Sequence, residues 1–185
     1  MRQFFSLLAL LGVFFITSIS SAATDPWVDE VVYWSDVSPF SGKDPENVLG
    51  PIDSSLNISD GDEFIAAFIN NIALDGPGND LYLHENVDAS GGDETVNVYA
   101  SPDDILYTYL GMASNDEAYD FAGFGIDNIS YIKLVGNSLG GSSPGYDLLA
   151  IEALNSAPVP IPGAVWLLGS GLIGFVGFRS KFRNT

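Results

Sequence analysis

Between positions 24 and 157 the apolar residues come in short runs rather than in helical stripes. Runs of strand length cover 31–34, 64–69, 81–84, 95–99, 105–110, 130–135 and 148–154. Positions 95–99 (Thr-Val-Asn-Val-Tyr) and 131–135 (Tyr-Ile-Lys-Leu-Val) alternate, as a strand does when one face meets a core and the other meets water. Turn formers separate the runs: Ser41-Gly42, Gly50-Pro51, Asp60-Gly61, Asp75-Gly76-Pro77-Gly78, Ser90-Gly91-Gly92, Ser101-Pro102 and the stretch 140–145. Strands at this spacing without intervening helical patterns predict an all-β domain, an antiparallel β-sandwich. One segment, 64–74, also fits a short helix.

The two ends follow another pattern. Residues 1–23 carry Arg2, an apolar stretch from Phe4 to Ile16 and small residues up to Ala23, the layout of a secretory signal peptide cleaved after Ala22 or Ala23. Residues 158–185 carry an uncharged apolar run from Gly163 through Trp166 to Phe178, then the basic residues Arg179, Lys181 and Arg183. As a helix that run reaches about 24 Å, and Val159 to Pro162 extend it toward the ~30 Å of a hydrocarbon core. The basic cluster would stop transfer on the cytoplasmic side and leave the preceding domain outside.

Charge sharpens this division. All 24 acids lie between Asp25 and Glu152, where Lys43 and Lys133 are the only Lys or Arg, so residues 24–157 carry a net charge of −22. The chain has no Cys and one His, which excludes disulfides and Cys-ligated metals. A domain so acidic, without a basic patch, repels nucleic acid and anionic membrane surfaces.

The C-terminal residues Val159-Pro160-Ile161-Pro162, the following Trp-Leu-Leu-Gly-Ser-Gly segment and the basic terminus resemble the PEP-CTERM sorting signal, in its Val-Pro-x-Pro form. The resemblance implies recognition by an exosortase-type membrane transpeptidase after Sec export and signal peptidase cleavage. It also implies an inner-membrane-anchored precursor, then delivery to the cell surface or extracellular matrix of Gram-negative bacteria that make exopolysaccharide. A plain C-terminal anchor is the alternative for the same residues.

The acids cluster in the turn segments, which is the arrangement a hard cation such as Ca²⁺ requires of its oxygen ligands. Asp75-Gly76-Pro77-Gly78-Asn79-Asp80 overlaps one copy of a nonapeptide Ca²⁺ repeat, with Asp75 where its first Gly belongs. Asp75 and Asp80 are therefore candidate Ca²⁺ ligands, and a turn held by Asx hydrogen bonds explains the same letters. Further candidate ligands are Asp147 and Glu152, which also fit as polar residues of a strand end. The aromatics Trp27, Tyr33, Trp34, Tyr82, Tyr99, Tyr107, Tyr109, Tyr119 and Tyr146 either offer stacking faces for a sugar or fill the core, core filling being the reading for most of them, and Tyr146, in a Gly-rich segment, is the first candidate for ligand binding. Gly136-Asn137-Ser138-Leu139-Gly140 matches a nucleophile elbow, but the only His precedes it and no helix can start at Gly140-Gly141.

The central domain also resembles a bacterial cell-surface domain through Pro45-Glu46-Asn47-Val48-Leu49-Gly50-Pro51-Ile52-Asp53, the segment from Asp75 to Asn86, Tyr131-Ile132-Lys133-Leu134, and the segment from Pro144 to Leu154. That resemblance implies a jelly-roll, galactose-binding-like sandwich related to discoidin, in which the last strand closes beside the first. Leu149 stands where the family carries an acid, which weakens a metal site at that end.

These observations together predict an exported, non-enzymatic surface or matrix protein binding Ca²⁺ and exopolysaccharide. A small secreted polysaccharide hydrolase using paired carboxylates is the alternative.

Overall fold

The computed structural model describes residues 25–35, 37, 44–86, 94–137 and 145–159. The segments expected from the sequence to be a signal peptide, most of a sorting motif, a membrane segment and a basic stop lie outside them. Among the described residues no helix is long and apolar enough to cross a membrane.

Among the described residues there are twelve strands: β1 (Glu30–Ser35), β2 (Leu56–Ile58), β3 (Glu63–Ala67), β4 (Asn71–Leu74), β5 (Leu81–Glu85), β6 (Val96–Ser101), β7 (Thr108–Ala113), β8 (Glu117–Tyr119), β9 (Asn128–Ile129), β10 (Tyr131–Gly136), β11 (Tyr146–Ala153) and β12 (Ser156–Pro158). They form a five-stranded sheet in the order β1-β3-β10-β6-β7, a four-stranded sheet β2-β11-β5-β8 and a small sheet β12-β4-β9, with every pairing antiparallel. Phe64, Val98, Ile132 and Leu134 from the first sheet and Leu56, Ile58, Leu81, Leu83, Leu148 and Ile151 from the second belong to one buried core. This is the predicted β-sandwich, and the alternation read at 131–135 is its cause: Ile132 and Leu134 point in, Tyr131, Lys133 and Val135 point out. The segment before β1 lies beside β11, with Val28 N–H donating to Ile151 O and Ala153 N–H donating to Pro26 O.

Two segments depart from the expectation. Residues 64–74 form β3 and β4 with a turn between them, not a helix. The carboxylate of Asp29 accepts from the amides of Ile69 (2.7 Å) and Asn70 (3.1 Å) and from Asn70 Nδ2 (3.0 Å), taking the N–H groups a helix would need. The run at 105–110 starts late, at Thr108, because Asp103 Oδ1 accepts from the amides of Ile105 (3.0 Å) and Leu106 (3.2 Å) and curls them into a turn. Ile105 and Leu106 are left exposed. Gly136 has a packing role: a Cβ there would meet Ser59 O at 1.8 Å.

Candidate functional site

The loop joining β4 to β5 is organised around Asp80, whose carboxylate is fully buried. Its Oδ1 accepts from Gly76 N–H (2.8 Å) and Asn155 Nδ2 (2.8 Å), and its Oδ2 accepts from Phe121 N–H (2.7 Å). Asn155 also donates to Asn79 O (3.1 Å), and it lies so close to Gly76 that a Cβ there would sit 2.5 Å from its Cγ. A hydrogen-bonded arrangement therefore accounts for this loop, though not a local Asx turn: Asp80 accepts from Gly76, four residues before it, and from segments distant in the chain. It does not exhaust the carboxylates.

Asp120 follows β8 and caps the 3-10 turn Phe121–Phe124, accepting from Ala122 N–H at 3.0 Å. One carboxylate oxygen each from Asp75, Asp80 and Asp120 lie within 4.8 Å of one another, with Asp75 and Asp120 exposed. The Asp75 carboxyl is held above its ordinary range, first by desolvation and then by the negative charges of Asp80, Asp120 and Asp127. Lys133, the one Lys or Arg among the described residues, sits beside Glu63 on the other sheet. Three converging oxygens can form part of the shell of Ca²⁺, with Asp80 contributing through its less occupied Oδ2. Asp75 and Asp80 were legible in the sequence, whereas Asp120 joins them only because β8 pairs with β5 through Leu81 and Tyr119.

Asp147 and Glu152 do not join that cluster. A register shift between Leu148 and Ala150 turns both toward the outer face of β11, although they are an odd number of residues apart. Glu152 faces His84 Nε2 at 2.9 Å, and the His84 ring lies 5.5 Å from Trp27 and 4.5 Å from Tyr82. Asp147 Oδ1 accepts from Asn57 Nδ2 at 2.9 Å. Tyr146 is also misplaced by the sequence reading. Its ring is fully buried, its hydroxyl donates to Asn115 O (3.0 Å), and it offers no face for stacking.

An aromatic face lies elsewhere, on the outer side of the five-stranded sheet. Strand register brings Tyr33, Ile65, Lys133, Tyr99 and Tyr109 into one row across β1, β3, β10, β6 and β7. Tyr33 and Tyr109 are 48% and 49% exposed. The rings of Tyr99 and Tyr109 are 5.1 Å apart, and Lys133 Nζ lies 5.1 Å from the Tyr99 ring and 4.5 Å from that of Tyr107. At ~4.8 Å per strand the row spans about 19 Å. Burial and Asp104, which accepts from its hydroxyl, push the Tyr107 phenol well above its usual range and fix the ring beneath the lysine.

No family model matches the sequence, and no curated protein matches it. Among solved structures the chain is similar to CBM32-1 from a family 31 glycoside hydrolase from Clostridium perfringens, at 13% identity over 75% of this chain and 100% of that one, with a TM-score of 0.42. It is similar also to the C-terminal domain of a chitobiase from Bacteroides fragilis (13%; 75% and 99%; 0.46). A third is the CBM32 of AlyQ in complex with 4,5-unsaturated mannuronic acid (19%; 72% and 98%; 0.37). These likenesses are too distant to assign a family.

Proposed function

We propose that the chain is an exported, non-enzymatic surface or matrix protein whose sandwich binds polysaccharide along the tyrosine row. The observation that carries this reading is the register itself: three tyrosines, an isoleucine and a lysine from five strands share one line on an exposed sheet face. Tyrosine rings stack on the apolar faces of sugars, while their hydroxyls, Asn97 and Lys133 offer hydrogen bonds to the sugar edges. A net charge of −22 over residues 24–157 disfavours a polyanion, so the chemistry that fits is a neutral glycan. Asp75, Asp80 and Asp120 bind Ca²⁺ and hold the β4–β5 loop against β8.

Export and the sorting signal at Val159 to Pro162 supply the location, and both rest on the sequence. A hydrolase needs a carboxylic acid near neutrality within reach of the glycosidic oxygen. Glu85 stands at about 7, yet it is 7% exposed and points between the sheets, which favours the binding reading. Affinity electrophoresis through gels containing the native exopolysaccharide tests the proposal. Wild type should be retarded and Tyr99→Ala with Tyr109→Ala should migrate freely; equal retardation of both overturns it.

A further inference from the structure

The turn between β6 and β7 is braced from within. Asp103 Oδ1 accepts from the amides of Ile105 and Leu106, the Asp103 amide donates to Ser101 Oγ at 3.3 Å, and Tyr107 donates its hydroxyl to Asp104. These bonds hold Ile105 and Leu106 away from the core at 76% and 75% exposure, the highest of any large apolar residue among the described residues. Water is the unfavourable neighbour for both side chains, and the turn cannot fold them inward without breaking its own hydrogen bonds.

The chain leaves the sandwich at the same end. Ser130 N–H donates to Ser101 O and Phe68 N–H donates to Ser130 O, so the start of the turn, the start of β10 and the end of β3 lie side by side. Two residues past Phe68, Asn70 O accepts from Val159 N–H, and both Ile69 and Val159 are exposed. The amino-terminal side joins here too, since Asn71 pairs with Pro158 and its Nδ2 donates to Asp25 O at 2.6 Å. The two apolar ends of the sequence, 1–23 and 163–178, therefore both continue from the end that displays Ile105 and Leu106. Residues 160–162 alone separate Val159 from Gly163, a reach of at most about 14 Å at ~3.5 Å per residue.

We infer that in the membrane-anchored precursor this end of the sandwich rests on the bilayer, with Ile105 and Leu106 among the lipid headgroups. The inference rests on the reading of 163–178 as a membrane segment and is independent of the glycan reading of the tyrosine row. So short a tether keeps this end against the lipid, and the lipid interface supplies the apolar contact that the core denies the two side chains. Asp29, Asp103 and Asp104 lie at the same end, so the surface that fits is zwitterionic and not anionic.

The chain has no Cys, so a single introduced one can carry a probe. Full-length Leu106→Cys, labelled with an environment-sensitive fluorophore, is reconstituted with phosphatidylcholine vesicles and floated on a density gradient, and spin-labelled acyl chains then act as short-range quenchers. Val37→Cys is the control: Val37 is exposed and its amide donates to Asp62 Oδ1, about 20 Å from Phe68 at ~3.3 Å per residue along β3. The Leu106 probe should lose its emission to the quencher while the Val37 probe keeps its own. A chain that floats with both probes unquenched, or with both quenched equally, overturns the inference and leaves the membrane-segment reading standing. A chain that does not float removes that reading and the inference with it. A Leu106 probe that is blue-shifted yet unquenched means that a second protein copy covers the turn, which overturns lipid docking as well.

Discussion

Replacing Asp80 by Ala removes the acceptor of three hydrogen bonds, from Gly76 N–H, Phe121 N–H and Asn155 Nδ2. Asn155 keeps its bond to Asn79 O, so two main-chain donors are fully orphaned. At ~1–3 kcal/mol for each buried donor left without a partner, Asp80→Ala should cost about 2–6 kcal/mol. Asp80→Asn is the informative companion. Its oxygen, placed at Oδ1, keeps the bonds from Gly76 and Asn155, while its amide faces the Phe121 N–H donor to donor; the loss falls to about 1–3 kcal/mol. Urea unfolding followed by tryptophan fluorescence, in chelator, measures both. The order should be wild type, then Asn, then Ala, and it must appear without metal because the bonds are internal to the chain. An Asp80→Ala variant within 1 kcal/mol of wild type in chelator would refute the loop-organising role and leave Asp80 as a cation ligand only.

Other consequences are equally open to measurement. Glu85 titrates at about 7 in the folded chain against an ordinary 4.5, because burial and then the charges of Glu94, Asp147 and Asp116 disfavour its ionised form. The folded state therefore holds this proton more tightly than the unfolded chain does. In chelator its contribution should be full below pH 4.5 and lost as pH rises through about 7, a change of about 3 kcal/mol that Glu85→Gln removes. Tyr146→Phe should cost about 1 kcal/mol for its bond to Asn115 O and leave retention by polysaccharide unchanged. Millimolar Ca²⁺ should raise the melting temperature of wild type, and Asp75→Asn with Asp120→Asn should diminish that rise. Replacing Pro160 and Pro162 by Ala should trap a longer, membrane-retained chain, read by the mass of the protein recovered from cells.

The sandwich was legible because its strands announce themselves by period and by the turn formers between them. Strands of two to four residues such as β2, β8, β9 and β12 were not, since so short a segment shows no period and exists only through its partners. Side-chain capture hid two boundaries: Asp29 and Asp103 bind amides that the local pattern assigned to a helix and a strand. The acidic loop was visible at Asp75 and Asp80, but Asp120 depends on a pairing forty residues along the chain. The misplacement of Tyr146 has the same origin. A tyrosine beside glycines reads as exposed, whereas the inward position of β11 at Tyr146 is set by its pairing with Ile58 in β2. The tyrosine row is a property of register, shifted between Val98 and Tyr99, and no single segment records it.

The binding face can be observed residue by residue, since the chain has eight tyrosines and their ring protons can be followed by NMR in tyrosine-labelled protein. On addition of oligosaccharides from the native exopolysaccharide, the rings of Tyr33, Tyr99 and Tyr109 should shift together and saturably, with Tyr146 and Tyr119 unmoved. Shifts confined to tyrosines away from that row, or none at concentrations where the gel shows retardation, would contradict binding on the five-stranded face.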